Sequence, residues 1–292
     1  MDLPAPIRGS FHFHPYRHMT TTHAETPIRD TSRDAHLAAT YAERGWIQLP
    51  NLVGAGELAT IRALIEEADR GGRFSVPKTG VQADQALPEY HKTMRVLRRL
   101  WTDYPEVEAL CRRIGRLVGD VTGWSSTRLW SDRVFIKPGK KVGSRPTIWH
   151  QDLPKIPIDR RGFTTVWITL SDLPATKGAM TFLNGSHHLG PLGATAQLGG
   201  ESDLSELLRE QDWNLVSGCT TAAPLVAGDA TMHAGLTLHR AQANVEEEDR
   251  VVLAISYVDG NALYTGGANP VTDNLGMAPY KRMEHATMPI VA

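Results

Sequence analysis

Cysteine is scarce: Cys111 and Cys219 are the only two in 292 residues. That excludes a disulfide-stapled scaffold and fits two reduced thiols in a cytoplasmic protein. No sign of charge dominates. Lys+Arg is 31, Asp+Glu is 32 and the formal net charge is -1, so no global basic surface exists to hold nucleic acid or an anionic membrane. Long apolar runs are missing as well. Val251 to Ile255 is among the longest, far short of the ~20 residues that span a bilayer. No charged segment followed by an apolar stretch opens the chain, so a secretory signal is not expected. What remains is 41% hydrophobic and 22% charged, the balance of a soluble globular protein.

The chain reads in four parts. Residues 1–32 carry Pro4, Pro6, Pro15, Pro27 and several histidines without apolar periodicity, and are expected to be a flexible extension. Residues 33–292 read as one domain. Its first part, 33–122, is helix-rich. A short helix carries Leu37, Ala38 and Tyr41 and stops at Gly45; Trp46 to Leu49 reads as a strand. Leu58, Ile61, Leu64, Ile65 and Ala68 line a second helix ended by Gly71-Gly72. Val107, Leu110, Cys111, Ile114, Leu117, Val118 and Val121 recur at helical spacing over 105–121. From 123 to 260 short strand-like runs alternate with Gly, Pro and Asn turns, at 127–137, 147–153, 163–170, 180–183, 224–226, 231–241 and 251–258. Strand count and spacing fit a mainly β protein with flanking helices, a double-sheet jelly roll. Residues 261–292 read as a C-terminal loop or tail. The segments 73–91, 188–214 and 261–280 are long for structureless loops, a length typical of lids and binding loops.

Two constellations carry chemistry. In Trp149-His150-Gln151-Asp152, strand alternation would put the imidazole of His150 and the carboxylate of Asp152 on one face. Alone, an H-x-D pair occurs often by chance. The second is Gly228-Asp229, His233, His239 and Arg250. Read as one hairpin, His239 and Arg250 would lie on neighbouring strands near the same end. Two histidines and a carboxylate leave three positions open on Fe(II). A 2-oxoacid can chelate two, O2 can take the third, and an arginine can hold a far carboxylate through its bidentate fork. His233 reads as a packing or hydrogen-bonding histidine. The acidic run Glu246 to Asp249 reads as a hairpin tip, and Lys140-Lys141 as either a wet loop or a contact to an anionic substrate.

With these residues in order, the chain resembles the phytanoyl-CoA dioxygenase family of Fe(II)- and 2-oxoglutarate-dependent oxygenases over roughly 35–258. The resemblance runs from Tyr41-Ala42-Glu43-Arg44-Gly45-Trp46 through Phe135-Ile136-Lys137-Pro138-Gly139 and Trp149-His150-Gln151-Asp152. It continues through Trp167, Lys177 to His187, Gly228-Asp229 and His239 to Arg250.

The resemblance implies a double-stranded β-helix, cupin-like, with Fe(II), 2-oxoglutarate and O2. It implies His150, Asp152 and His239 as metal ligands and Arg250 on the C5 carboxylate of 2-oxoglutarate, with Trp167 beside the co-substrate. Lys92, in Tyr90-His91-Lys92-Thr93, resembles a co-substrate lysine. Where the family commonly has His-Gly-Ser this chain has His239-Arg240-Ala241, so another hydroxyl, Thr165 or Thr147, must stand in or binding is weaker. Asp152 argues against halogenation, because halogenating relatives carry Gly or Ala there. The activity implied is oxidation of an unactivated C–H in a small molecule, in bacterial secondary metabolism, with release of succinate and CO2. Two other readings use the same residues: a zinc-dependent hydrolase or lyase on a cupin-like barrel, or a non-catalytic binding protein.

Overall fold

The computed structural model describes residues 31–74, 94–192 and 204–292. The chain enters through helix α1, Thr31–Arg44, which Gly45 stops in the left-handed region at φ +80, its N–H donating to the Tyr41 carbonyl at 2.8 Å. Strand β1 is Trp46–Leu49 and helix α2 is Ala55–Arg70, followed by strand β2, Arg95–Arg98. Helix α3, Pro105–Thr122, has Pro105 at its first turn with Glu106 and Glu108, and ends at Gly123, φ +70. Proline and carboxylates suit a helix N-terminus, and glycine suits its end. Its buried stripe is Val107, Leu110, Cys111, Ile114, Val118 and Val121.

The barrel strands follow: β3 Thr127–Lys137, β4 Thr147–His150, β5 Phe163–Thr169, β6 Met180–Leu183, β7 Cys219–Thr221, β8 Ala230–Ala234, β9 His239–Ala241 and β10 Arg250–Asp259. One sheet runs β1-β8-β5-β10-β3-β2 and the other β4-β9-β6-β7. The ladders are antiparallel. From β3 to β10 the strands form two facing four-stranded sheets, the expected jelly roll, and β1 and β2 extend the larger sheet at its edges.

Side chains alternate across each strand, so the large sheet carries two surfaces. Val134, Ile136, Val166, Ile168, Leu253 and Ile255 form one core with Ile61, Ile65, Leu110 and Ile114 of the helices. On the other surface Trp167, Val252 and Ala254 meet Phe182, Met180 and Ala241 of the small sheet. Burial on both faces explains why β10 is a continuous apolar run rather than an alternating one. The opening residues tie the helices to this barrel. Tyr41 Oη donates to Thr164 Oγ1 at 2.8 Å, and Trp46 stacks on Phe182 at 4.4 Å while its Nε1 donates to Asn184 Oδ1.

Several expected boundaries move. The run 147–153 is not one strand: β4 ends at His150 and Asp152 adopts helical angles, φ -79 and ψ -45, leading into a 3₁₀ turn at Leu153–Lys155. Pro154 cannot donate to a ladder, so the strand cannot continue. The run 231–241 breaks at Gly235, whose missing Cβ admits the Phe163 ring and Leu153. Its halves, β8 and β9, belong to different sheets. His239 and Arg250 are therefore not neighbours in a hairpin; they lie on opposite sheets. Around 224–226 only the bridge Leu173↔Leu225 forms. The segment 261–292 has little regular structure but is packed. Met283 and Met288 are fully buried, and Ala292 and Pro289 accept from the backbone of β3.

The turn before β8 depends on a glycine. Gly228 sits at φ +95, and a Cβ there would lie 2.3 Å from the Val53 carbonyl oxygen. Asp229 beside it accepts from Asn51 N–H at 2.7 Å and Val226 N–H at 3.0 Å. Gly228→Ala should destabilise the fold by about 1–3 kcal/mol through left-handed strain and backbone contact. Thermal denaturation should show a melting temperature lower by several degrees; an unchanged value would contradict this account of the turn.

Candidate metal centre and its cationic pocket

His150 and His239 stand directly opposite each other in the β4–β9 ladder, with ring centroids 4.1 Å apart. Each ring is held from behind by its own chain. His150 Nδ1 lies 2.9 Å from the Ile148 carbonyl and His239 Nδ1 lies 2.9 Å from the Thr237 carbonyl. A carbonyl only accepts, so both Nδ1 atoms carry the proton and both Nε2 lone pairs point the other way. Asp152 completes the group: one ligand atom from each of the three residues lies within 4.8 Å of the others. The 3₁₀ turn, not strand alternation, brings the carboxylate there.

The two oxygens of Asp152 have different surroundings. Oδ1 faces His150 Nε2 at 3.6 Å. Oδ2 lies 3.4 Å from His233 Nε2 and 3.4 Å from the Thr165 hydroxyl, which in turn is 3.0 Å from Ser256 Oγ. Oδ2 is thus held by Thr165 and His233, and Oδ1 faces His150. His233, on β8, makes the hydrogen-bonding contact read for it in the sequence.

Burial lowers the pKa of His150, partly opposed by the carboxylate of Asp152. Burial lowers His239 further, well below the usual imidazole range, helped by the other two imidazoles. For Asp152 burial pushes upward, but the His233 hydrogen bond and the surrounding imidazoles outweigh it and hold the carboxyl well below its usual range. Neutral imidazoles and an ionised carboxylate are the forms that ligate a divalent cation. Donor chemistry, tautomer and charge therefore fit a metal ion held by His150, Asp152 and His239. The same set suits non-haem Fe(II) and catalytic zinc.

Deeper between the sheets lies a cationic end. Arg250 is 3% exposed, its Nη1 donates to the Gly178 carbonyl at 2.7 Å, and its guanidinium sits 5.1 Å from the Trp167 ring. Burial lowers its pKa to about 9. Lys137, not singled out in the sequence beyond its place in the Phe135 to Gly139 stretch, is 1% exposed and registers across from Arg250. A lysine that ends a strand just before Lys140-Lys141 carries no signal that separates it from those exposed neighbours. Thr165 is placed beside Asp152 rather than beside Arg250, whereas Thr147 pairs with Ala241, the position of the missing serine. Lys92 lies outside the described residues.

The phytanoyl-CoA dioxygenase family model matches residues 41–252. A curated relative, phytanoyl-CoA dioxygenase domain-containing protein 1 of Danio rerio, is 27% identical over 190 residues, covering 63% of this chain; the chain spans 60% of that relative's length. Among solved structures, the non-heme alpha ketoglutarate dependent epimerase SnoN from nogalamycin biosynthesis is 25% identical, with a TM-score of 0.70, over 90% of this chain and 100% of that one. SnoN is also known in complex with Fe3+, alpha ketoglutarate and nogalamycin RO. The carbocyclase SnoK of the same biosynthesis, at 23% identity and a TM-score of 0.71 over 88% of this chain and 96% of that one, shares the fold. The chain belongs to the phytanoyl-CoA dioxygenase family, a family of 2-oxoglutarate-dependent non-haem iron enzymes.

Proposed function

We propose that this protein is an Fe(II)- and 2-oxoglutarate-dependent dioxygenase that oxidises an unactivated C–H of a small-molecule substrate, in the tailoring of a natural product. One observation carries the reading. A two-histidine, one-carboxylate group and a buried arginine with no carboxylate partner among the described residues lie within one barrel. The likeness to SnoN supports a tailoring role, with hydroxylation, epimerisation or ring closure as the outcome set by which C–H the pocket presents.

In this reading His150 Nε2, His239 Nε2 and one oxygen of Asp152 hold the iron. With iron bound, 2-oxoglutarate and O2 oxidise the substrate C–H, and succinate and CO2 are released. The rest is done by the chain. Thr165 and His233 hold the second oxygen of Asp152 and fix its orientation, the task of groups that back a metal ligand. Arg250 binds the C5 carboxylate of 2-oxoglutarate, and the Trp167 ring limits where its guanidinium can lie. Trp167 and Phe182, packed between the sheets, exclude water from this end of the pocket. The zinc hydrolase reading uses the same three ligands but leaves Arg250 without a task.

Arg250→Gln should weaken 2-oxoglutarate binding by ten-fold or more. Removing one partner of a buried charge pair costs on the order of 2–5 kcal/mol, and each ~1.4 kcal/mol is a factor of ten. Iron affinity should hold, and turnover driven by pyruvate, which has no far carboxylate, should lose less. If the KM for 2-oxoglutarate is unaltered, or pyruvate suffers equally, Arg250 is not the anchor.

Asp152→Ala removes a metal ligand and should abolish 2-oxoglutarate-dependent succinate release while raising the Fe(II) dissociation constant by at least ~10-fold, judged from the ten- to hundred-fold effects of losing even outer-shell partners. Chelator competition measures the affinity. Retained iron binding with retained succinate release would exclude Asp152 as a ligand.

A further inference from the structure

We propose that Lys155 and Arg133 form an anion subsite for the substrate that is oxidised, so that the molecule presented to the metal carries an acid group, a carboxylate. This rests on the oxygenase reading above and deepens it by naming the substrate class.

Lys155 is placed by the same turn that delivers Asp152. Its N–H donates to the Asp152 carbonyl at 3.2 Å as the 3₁₀ turn Leu153–Lys155 forms. In such a turn the side chains at i and i+3 eclipse, so the lysine leaves the chain on the side of the carboxylate that serves the metal. The turn is pinned from two directions. Asn269 Nδ2 donates to the Lys155 carbonyl at 2.9 Å, and Leu153 N–H donates to the Gly235 carbonyl at 2.8 Å. The ammonium is thus carried on a fixed base, and the residue remains exposed, open to an incoming molecule.

Arg133 arrives from the large sheet. On β3 it pairs with Ala254 of β10, whose side chain packs in the core between the sheets. Arg133 therefore stands on the inward surface of β3, half-buried, and Ser131 is the next residue on that surface, about 7 Å along the strand. Ser131 pairs with Ser256, whose Oγ lies 3.0 Å from Thr165 Oγ1, the hydroxyl beside Asp152 Oδ2. Arg133 is one step along the strand from the hydroxyls that back the metal ligand. It is also four residues, about 13 Å, from Lys137 and the co-substrate end of the barrel.

Charge joins the two residues. Burial lowers the pKa of Lys155, the Asp152 carboxylate opposes this, and Arg133 adds to the lowering. Lys155 in turn contributes to the lowered pKa of His150. Two cations therefore share one side of the centre. Lys155 has no ion pair among the described residues, and the acids of the following loop are engaged elsewhere: Arg160 meets Asp159 at 2.9 Å and Asp259 at 3.7 Å. Like charges brought together favour an anion between them. A carboxylate has an oxygen for the guanidinium and one for the ammonium, and a substrate held there by its acid group would have its body directed toward the metal.

The test uses the full chain, loaded anaerobically with Fe(II) and saturating 2-oxoglutarate. Octanoate, 3-phenylpropionate and 2-naphthoate are each titrated calorimetrically beside their primary amides, which keep the body and lose the charge. The subsite predicts that at least one acid binds wild type about ten-fold or more tighter than its amide, and that Lys155→Gln and Arg133→Gln each cut this advantage to about two-fold or less. The affinities of both variants for Fe(II) and 2-oxoglutarate should change by less than about two-fold. A wild type that binds none of the acids, or binds acid and amide alike, overturns the proposal, as does an equal loss for acid and amide in the variants. A variant that loses 2-oxoglutarate affinity assigns the pair to the co-substrate and overturns it too. Should Arg133→Gln not fold, Lys155→Gln decides alone, and an undiminished preference for the acid overturns the proposal. Failure of the wild type to bind 2-oxoglutarate at all would instead overturn the oxygenase reading, a result read separately from the preference for acid over amide.

Discussion

One rung of one ladder sets the site. His150 and His239 pair across β4 and β9, and each donates from Nδ1 to a carbonyl two residues earlier in its own chain. Antiparallel partners sit about 4.5–5.5 Å apart at Cβ, close enough for two imidazoles to share a ligand. The backbone carbonyls then choose the tautomer and the direction of both lone pairs. Asp152 arrives because β4 cannot continue past His150 into Pro154, and the resulting turn swings its carboxylate toward the same point. Thr165 and His233, delivered by the large sheet, hold the oxygen that does not face His150. The small sheet supplies the histidines and the large sheet supplies what orients the carboxylate, so the site exists only when the two sheets close on each other.

The same closure divides the large sheet's two faces by chemistry. The outward face is an apolar core under three helices. The inward face holds Arg250 and Lys137 alongside Trp167, Val252 and Ala254, and these two charges are satisfied by backbone carbonyls alone among the described residues.

Much of this was legible in the sequence. The bounds of β3 and β6, and nearly those of β5 and β10, follow from runs bounded by Gly, Pro and Asn, and α3 from its helical period. The three ligand candidates and Arg250 stand in an order that matches the family. What escaped had physical reasons. β2 is only Arg95–Arg98, two apolar residues between arginines, and β7 is three residues of Cys and Thr with exposed ends. Pro154 and Gly235 were the signals for the end of β4 and the break between β8 and β9, but tertiary contacts decide whether a glycine interrupts a strand or only bulges it. The pairing of Lys137 with Arg250 is a product of register between strands more than a hundred residues apart, which no local pattern encodes.

The central claim is that the three ligands and the cationic pocket act on one molecule, an oxoacid that chelates iron at one end and is clamped at the other. The most direct measurement is the visible absorption spectrum of the metal-free protein given Fe(II) and then 2-oxoglutarate under strict exclusion of oxygen. Chelation of Fe(II) by the 2-oxoacid should produce a weak charge-transfer band that saturates with 2-oxoglutarate and disappears when oxygen is admitted, with succinate formed in step. A protein that binds Fe(II) and yields no such band at saturating 2-oxoglutarate would contradict the account.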